Sequence, residues 1–375
     1  MEEKITICSV GDLMVCDSPL YASVGVGAKY HSIRKKLIKT CRQLFESADL
    51  VIGNFETVVY KPRDKTLAEI QMSCPEQVIV DLKKSGFSVF NIANNHCLQH
   101  GTQGFNNTEE SCIRNGIIPI GRRDRNLSRV EIKGRKIALL SCCIHLEWYQ
   151  PNHILYEDRL GKILKDVKSI RKNEPSTVIV ISIHWGDEFA AYPSNAQVAL
   201  AHKLVDLGAN IILGHHAHVY QGIEQYNGAI IAYSQGNFVS DMIPEICKET
   251  GCLRIEIDSN EINYYFQSLH IGDDYVPMED DGVWFKDRGK MLQDVLNGNK
   301  SDDQYWRDIS QNHSIGHNAF KKYFKTHVLS YKKIVAARMV LDFIKRKVKR
   351  LMGTSTDGRV SSMDPSIMEA ISKFE

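Results

Sequence analysis

Short runs rich in isoleucine and valine recur along the first 270 residues of this chain and alternate with segments of helical periodicity. The runs span 5–10, 50–52, 89–93, 136–143, 177–183, 211–213, 229–233, 253–257 and 262–269. Between them, 33–45, 76–84, 104–115, 159–172 and 196–207 repeat apolar residues at helical intervals. β-Branched residues suit a pleated, buried surface, whereas a 3.6-residue period suits a helix with one apolar stripe. Strands alternating with helices make an α/β fold, because each sheet must bury its apolar faces under another layer. The chain has 375 residues, 43% hydrophobic and 25% charged, enough for one large core and an appendage. After 269 the pattern changes: Asp273, Asp274, Glu279, Asp280 and Asp281 open an acidic stretch, and strand-poor helical sequence follows. The expected division is a domain over 1–272 and a helical, basic extension over 273–375.

Where several apolar runs stop, the sequence turns polar. The clusters are Gly11-Asp12, Gly53-Asn54-Phe55-Glu56, Ala93-Asn94-Asn95-His96, His184-Trp185-Gly186, Gly214-His215-His216-Ala217-His218 and Gly236-Asn237-Phe238. Oxygen and imidazole ligands at the ends of separate buried strands can converge on one sheet edge and hold a divalent cation. Singly, each has a plainer reading. A strand-end Asp such as Asp12 is often a turn or cap residue, and Asn94-Asn95 before His96 reads as a turn. Asn54 and Glu56 lie two residues apart, so an extended backbone points both the same way. His184 follows the unbroken apolar run 178–183, costly surroundings for an imidazole without a partner. His216 and His218 flank Ala217, so an extended segment would put both rings on one side. Three histidines in four positions is the least ordinary signal in the chain.

In order and spacing these residues resemble the CapA-type proteins, named for poly-gamma-glutamate capsule synthesis, of the calcineurin-like metallophosphoesterase superfamily. The resemblance runs through Gly11-Asp12-Leu13-Met14, Asn54-Phe55-Glu56, Ala93-Asn94-Asn95-His96, His184-Trp185-Gly186-Asp187-Glu188-Phe189, His216-Ala217-His218-Val219-Tyr220-Gln221 and Tyr233-Ser234-Gln235-Gly236-Asn237-Phe238. It implies a four-layer α-β-β-α sandwich with a metal centre at the strand ends, between the sheets. It implies one or two divalent ions, Mn, Fe or Zn. Asp12 and His218 would bind the first, Asn95, His184 and His216 the second, with Asn54 or Glu56 bridging. His96 would be the general acid, and Asn237 and Glu188 would contact substrate. Three positions depart from the pattern. The superfamily's Asp-x-His reads Asp12-Leu13-Met14, and a thioether is a poor ligand for hard ions. Its bridging Asp is replaced by Asn54, a change CapA-type proteins share. The Asp that usually follows Asn-His is Gln99, beside His100, a further candidate. The expected function is a metal-dependent hydrolase of a phosphoester, or of an amide or ester bond in a surface polymer. The alternative is a non-catalytic subunit of a capsule synthesis or export complex that binds a polyanion, and the ligand lost at Met14 favours it.

The formal net charge of +2 hides an asymmetry, since 321–352 holds eleven Lys or Arg and one acid, Asp342. Ile334, Val335, Met339, Leu341, Ile344 and Val348 recur there at helical spacing, which describes a basic amphipathic helix. It suits a packed terminal helix with a solvated basic face, or peripheral contact with anionic lipid in place of a membrane anchor. Aromatics for base stacking are sparse in it, which argues against nucleic acid. The N-terminus lacks a basic stretch followed by a long apolar one, and no apolar run is long enough to span a bilayer. A cytoplasmic location, with contact at the inner face of the membrane, is the expectation. Ten scattered cysteines without a Cys-x-x-Cys pair read as buried free thiols. The small polar residues of 353–364 read as a flexible tail.

Overall fold

The computed structural model describes residues 3–61, 70–122, 127–144, 159–258, 261–351 and 364–374. In chain order the elements begin β1 (Ile5–Leu13), α1 (Val26–Leu44), β2 (Leu50–Asn54), β3 (Val58–Val59), β4 (Ser73–Cys74), α2 (Gln77–Lys84), β5 (Val89–Asn91), α3 (Gly101–Arg114) and β6 (Ile118–Ile120). They continue β7 (Leu127–Ile132), β8 (Arg135–Cys143), α4 (Arg159–Asn173), β9 (Val178–His184), α5 (Asn195–Asp206), β10 (Ile211–His215), β11 (Tyr220–Tyr226), β12 (Ala229–Gln235) and β13 (Asn237–Val239). Last come β14 (Glu249–Ile257), β15 (Ile262–Ile271), β16 (Pro277–Glu279), α6 (Val283–Leu296), α7 (Asp302–His327), α8 (Lys333–Leu351) and α9 (Asp364–Phe374).

Two sheets carry the molecule. One runs β16-β15-β14-β1-β2-β5-β6 with β13 added beside β1, and the other runs β11-β12-β10-β9-β8-β7. Their central strands are parallel and buried on both faces, which is why they read as unbroken apolar runs. Alternate residues divide between layers. Ile5, Ile7, Leu50, Ile52 and Val89 of the first sheet meet Ile137, Leu139, Val180, Ile211 and Leu213 of the second in one core between the sheets. Cys8, Val10 and Val51 point the other way, onto α1, α2 and α3. Ala138, Leu140, Ile179, Ile181 and Ile212 point onto α4 and α5, where Ile367 of α9 joins them. The expected four-layer sandwich is the one the chain forms. Strands β6, β7, β11, β13 and β16 escape the sequence pattern because they are short or half exposed.

The helices after β16 fold back on the sandwich. Tyr305 and Ile309 of α7 pack on Ala190, Ala191 and Tyr192, and Tyr331 and Val335 pack on Tyr21, Ala22 and Val24. The basic segment 321–352 is not one helix. Its described residues, 321–351, are the end of α7 and all of α8, parted by a 3-10 turn at Val328–Ser330 and an extended Tyr331. The polar stretch expected to be flexible lies, but for Asp364, outside the described residues. No helix of the described residues is long and apolar enough to cross a membrane. All ten cysteines are free and buried.

The loop between β1 and α1 is organised by two buried carboxylates. Asp17 accepts from Ser23 N and Ala28 N at 2.7 and 2.9 Å, and Asp241 accepts from Ser18 N at 3.0 Å. Only glycine fits at Gly25, where a Cβ would stand 2.0 Å from Asp241 Oδ2. Burial, with the Asp17 charge adding to it, pushes the Asp241 carboxyl up to about 7 against donors that oppose the rise. A raised carboxyl binds its proton more tightly folded than unfolded, so its contribution to stability is lost as pH climbs from about 4 to about 7. Asp241→Asn should therefore gain more in unfolding temperature over wild type at pH 8.5 than at pH 5. An equal difference at both pH values contradicts this.

Candidate metal centre

Strand register brings the polar clusters to one edge. Asp12 of β1 stands beside Asn54 of β2 and Asn237 of β13, and Asn54 stands beside Asn91 of β5. In the facing sheet, His184 at the end of β9 pairs with His215 at the end of β10. These are the carboxyl ends of parallel strands, where α/β sheets place their ligands. All of these side chains are wholly buried.

Two groups of would-be ligand atoms form there, each within 4.8 Å of one another: Asp12, Glu56 and His218, and Glu56, His184 and His216. Glu56 belongs to both. Its Oε1 lies 3.7 Å from His218 Nε2, 3.9 Å from His96 Nε2 and 4.0 Å from His184 Nε2. Oε1 accepts no hydrogen bond among the described residues, while Oε2 accepts from Asn54 Nδ2 at 3.4 Å. The Oε1 separations are too long for hydrogen bonds. They fit ligands sharing a cation, because two atoms each about 2.1 Å from one ion stand at most about 4.2 Å apart. Asn95 Oδ1 lies 3.1 Å from His184 Nε2, a spacing that neighbouring ligands of one ion can adopt. A mixed carboxylate, amide and imidazole set suits a first-row divalent ion.

The electrostatics point the same way. Burial pushes the Glu56 carboxyl well above its usual range; Asp12 and Glu188 add repulsion, and the His218 charge opposes them. Burial works against charge on His218 as well, yet Glu56 and Asp12 outweigh it and push the imidazole up to about 10. Asp12 is held well below the usual carboxylate range because His215 and His218 outweigh its desolvation. Two wholly buried carboxylates thus face clustered imidazoles, a pattern a divalent cation would neutralise.

The hydrogen bonds around the groups fix ring and amide orientations. His218 Nδ1 donates to Asn237 Oδ1 at 2.9 Å, which leaves Nε2 turned to Glu56. Asn237 Nδ2 donates in turn to Cys247 O and His218 O. Asn54 Nδ2 donates to Asp12 Oδ1 at 2.8 Å, and Asn54 Oδ1 accepts from Asn91 and so turns away from the groups. Of the two bridging candidates, Glu56 belongs to both groups, whereas Asn54 Oδ1 is taken by Asn91. His96 stands at the partly exposed rim with Nδ1 2.7 Å from Gln99 Oε1; an amide oxygen takes the place a carboxylate usually holds. His100 belongs elsewhere, with Nε2 on Gln71 O and its ring stacked on Tyr60. Glu188 is half-buried, and its charge is felt by Glu56, His218 and His313.

Two features differ from the sequence reading. His216 and His218 do not share a side of an extended segment: they follow β10 in a bend, with φ of 94° and 56°. Non-glycine residues in that region store strain, common where a site over-determines the backbone. The residue of the 214–218 cluster given no role was His215, whose Nδ1 lies 3.2 Å from Asp12 Oδ1. Strand alternation from Ile211 through Leu213 would have pointed it inward. Met14 is no ligand here; it is buried with Cys16 and Met72 and accepts from Ser240 Oγ at 3.5 Å.

Residues 6–242 match the family described as "Bacterial capsule synthesis protein PGA_cap". The chain belongs to this family. It is similar to "Capsule biosynthesis protein CapA" of Bacillus anthracis, 28% identical over 279 residues that cover 69% of this chain and 65% of the relative. It is also similar to "PGA biosynthesis protein CapA" of Bacillus subtilis (strain 168), 31% identical, covering 53% of this chain and 55% of that one. The chain thus spans less than two thirds of the length of each. Among solved structures, a phosphatase from Mycoplasma pneumoniae is 12% identical with a TM-score of 0.47, covering 75% of this chain and 96% of its own.

If Glu56 is common to both groups, losing it should cost more metal than losing one group. Elemental analysis after loading with Mn should find Glu56→Gln nearly empty, whereas His184→Ala combined with His216→Ala keeps part of the wild-type content. Wild-type content in Glu56→Gln contradicts the shared role.

Proposed function

We propose that this chain is a metal-dependent hydrolase of phosphoesterase type that serves the metabolism of poly-gamma-glutamate or another anionic surface polymer. The observation that carries the reading is Glu56 Oε1, a buried carboxylate oxygen with imidazole nitrogens at 3.7–4.0 Å and no hydrogen-bond donor among the described residues. Family membership supports the polymer. In this proposal Asp12, Glu56 and His218 hold one ion, and Glu56, Asn95, His184 and His216 hold the other. When bound, such ions supply Lewis acidity toward the ester and a water nucleophile usable at neutral pH. His96, oriented by Gln99, gives its Nε2 proton to the leaving oxygen. Asn237 keeps His218 in the tautomer that ligates through Nε2. Glu188, at the mouth, accepts from substrate hydroxyl or amide groups.

A second reading, a polyanion-binding subunit that does not cleave, is favoured by Met14, which gives the first group no histidine at that position. The Mn-loaded protein should hydrolyse chromogenic phosphomonoesters or phosphodiesters. His96→Ala should keep its metal and lose on the order of a hundredfold in kcat. No turnover across the panel, together with binding of poly-gamma-glutamate, replaces the first reading with the second.

We further propose that the α7–α8 turn and α8 touch anionic lipid. Leu329, Ile334, Leu341 and Ile344 are exposed, Leu329 at 97%, in the segment that carries eleven basic residues. Wild type should co-sediment with phosphatidylglycerol vesicles and not with phosphatidylcholine ones. Ile334→Glu with Leu341→Glu should abolish this. Equal sedimentation of both proteins sinks the contact.

A further inference from the structure

We infer that His215 is a positioning residue for the first metal-binding group, holding Asp12 in place from the opposite sheet. The inference rests on the metal-centre reading above. Asp12 sits where β1 is irregular: the register slips between Val10 and Asp12 against β2, and between Asp12 and Leu13 against β13. A bulge re-aims a side chain, so the regular pleat of β1 does not set the direction of this carboxylate. Something lateral must hold it.

His215 is placed to do so. Along β10, Ile211 and Leu213 fill the core between the sheets while Ile212 faces the helices, so residue 215 continues the inward set. Gly214 before it is pressed against β12, where a Cβ would stand 1.9 Å from Tyr233 O, and this fixes the strand end from which the ring projects. The ring is wholly buried, with Nδ1 3.2 Å from Asp12 Oδ1. Its contact with Asp12 is an ion-pair distance rather than an aligned hydrogen bond, and neither ring nitrogen has a hydrogen-bond partner among the described residues. Asn54 Nδ2 reaches the same oxygen at 2.8 Å from the neighbouring strand, and His216 N donates to Oδ2 at 3.3 Å. Asp12 is therefore gripped by its own sheet through Asn54 and from the facing sheet through His215, His216 and His218, whose Nδ1 lies 3.3 Å from Oδ2.

His215 is not itself a member of either converging ligand group. It touches a ligand rather than the place where an ion would sit. Its role inverts the familiar arrangement in which a carboxylate orients a ligating histidine: here a buried imidazole at ion-pair distance braces a ligating carboxylate. Because Met14 gives this group no imidazole, its hold on an ion leans more heavily on a well-aimed Asp12.

The test is Mn2+ titration of the full chain, followed by electron paramagnetic resonance. It is done in a His216→Ala background, so that the group of Asp12, Glu56 and His218 is the one measured. Adding His215→Phe should weaken Mn2+ binding by about 10–100-fold, the usual cost of losing a partner that orients a ligand. Adding His215→Asn, whose amide N–H falls near the Nδ1 position, should restore most of the affinity. Unchanged affinity in a folded Phe variant overturns the inference. Should the Phe variant not fold, His215→Ala against His215→Asn decides, and equal loss in both overturns it. A wild type that binds no Mn2+ overturns the metal-centre reading and this inference with it, whereas wild-type binding that is insensitive to residue 215 overturns this inference alone.

Discussion

The site depends on a carboxylate oxygen that the fold buries without giving it a hydrogen bond. Glu56 Oε1 sits between two sheets, ringed by histidine nitrogens too distant to bond it directly. A buried carboxylate oxygen with no donor is costly to ionise, and a cation beside it is one way to offset that cost. The spacing of the ring nitrogens, the raised carboxyl of Glu56 and the raised imidazole of His218 all describe a place shaped for positive charge.

The sandwich explains how that place is assembled. One sheet supplies Asp12, Asn54 and Asn91 from three adjacent parallel strands, and the other supplies His184 and His215 from two. Because both sheets pack over one apolar core, the separation of these two sets of strand-end side chains is fixed by that core. The irregular parts sit at the point of contact: the slipped register at Asp12 and the left-handed backbone at His216 and His218. Regular strands alone would not bring these atoms together, so the distortion belongs to the site.

Much of this was legible in the sequence. Isoleucine and valine runs located the buried parallel strands because both faces of each are apolar, and polar clusters at their ends located the site. Short or half-exposed strands such as β6, β7 and β13 carried no such signal. Within the site, the reading that treated His216 and His218 as extended foundered on backbone strain, which no pattern of residue types reveals. His215 stands in the polar cluster without a role because its neighbours look more like ligands, although its parity with Ile211 and Leu213 already points it inward. The hydrogen bonds of Asn237 to His218 and Cys247 carry no sequence signal, because the bends that join them are not written in residue types. Gln99 was the opposite case: its proximity to His96 was visible in the sequence, and its amide oxygen does meet the ring.

The central claim is that Glu56 lies between two cation positions. Crystals grown with Mn2+ and measured for anomalous scattering test it most directly. The account predicts two peaks about 3.5–4 Å apart, one on each side of the Glu56 carboxylate. A single peak that does not touch Glu56, or no peak at this strand edge, would contradict it.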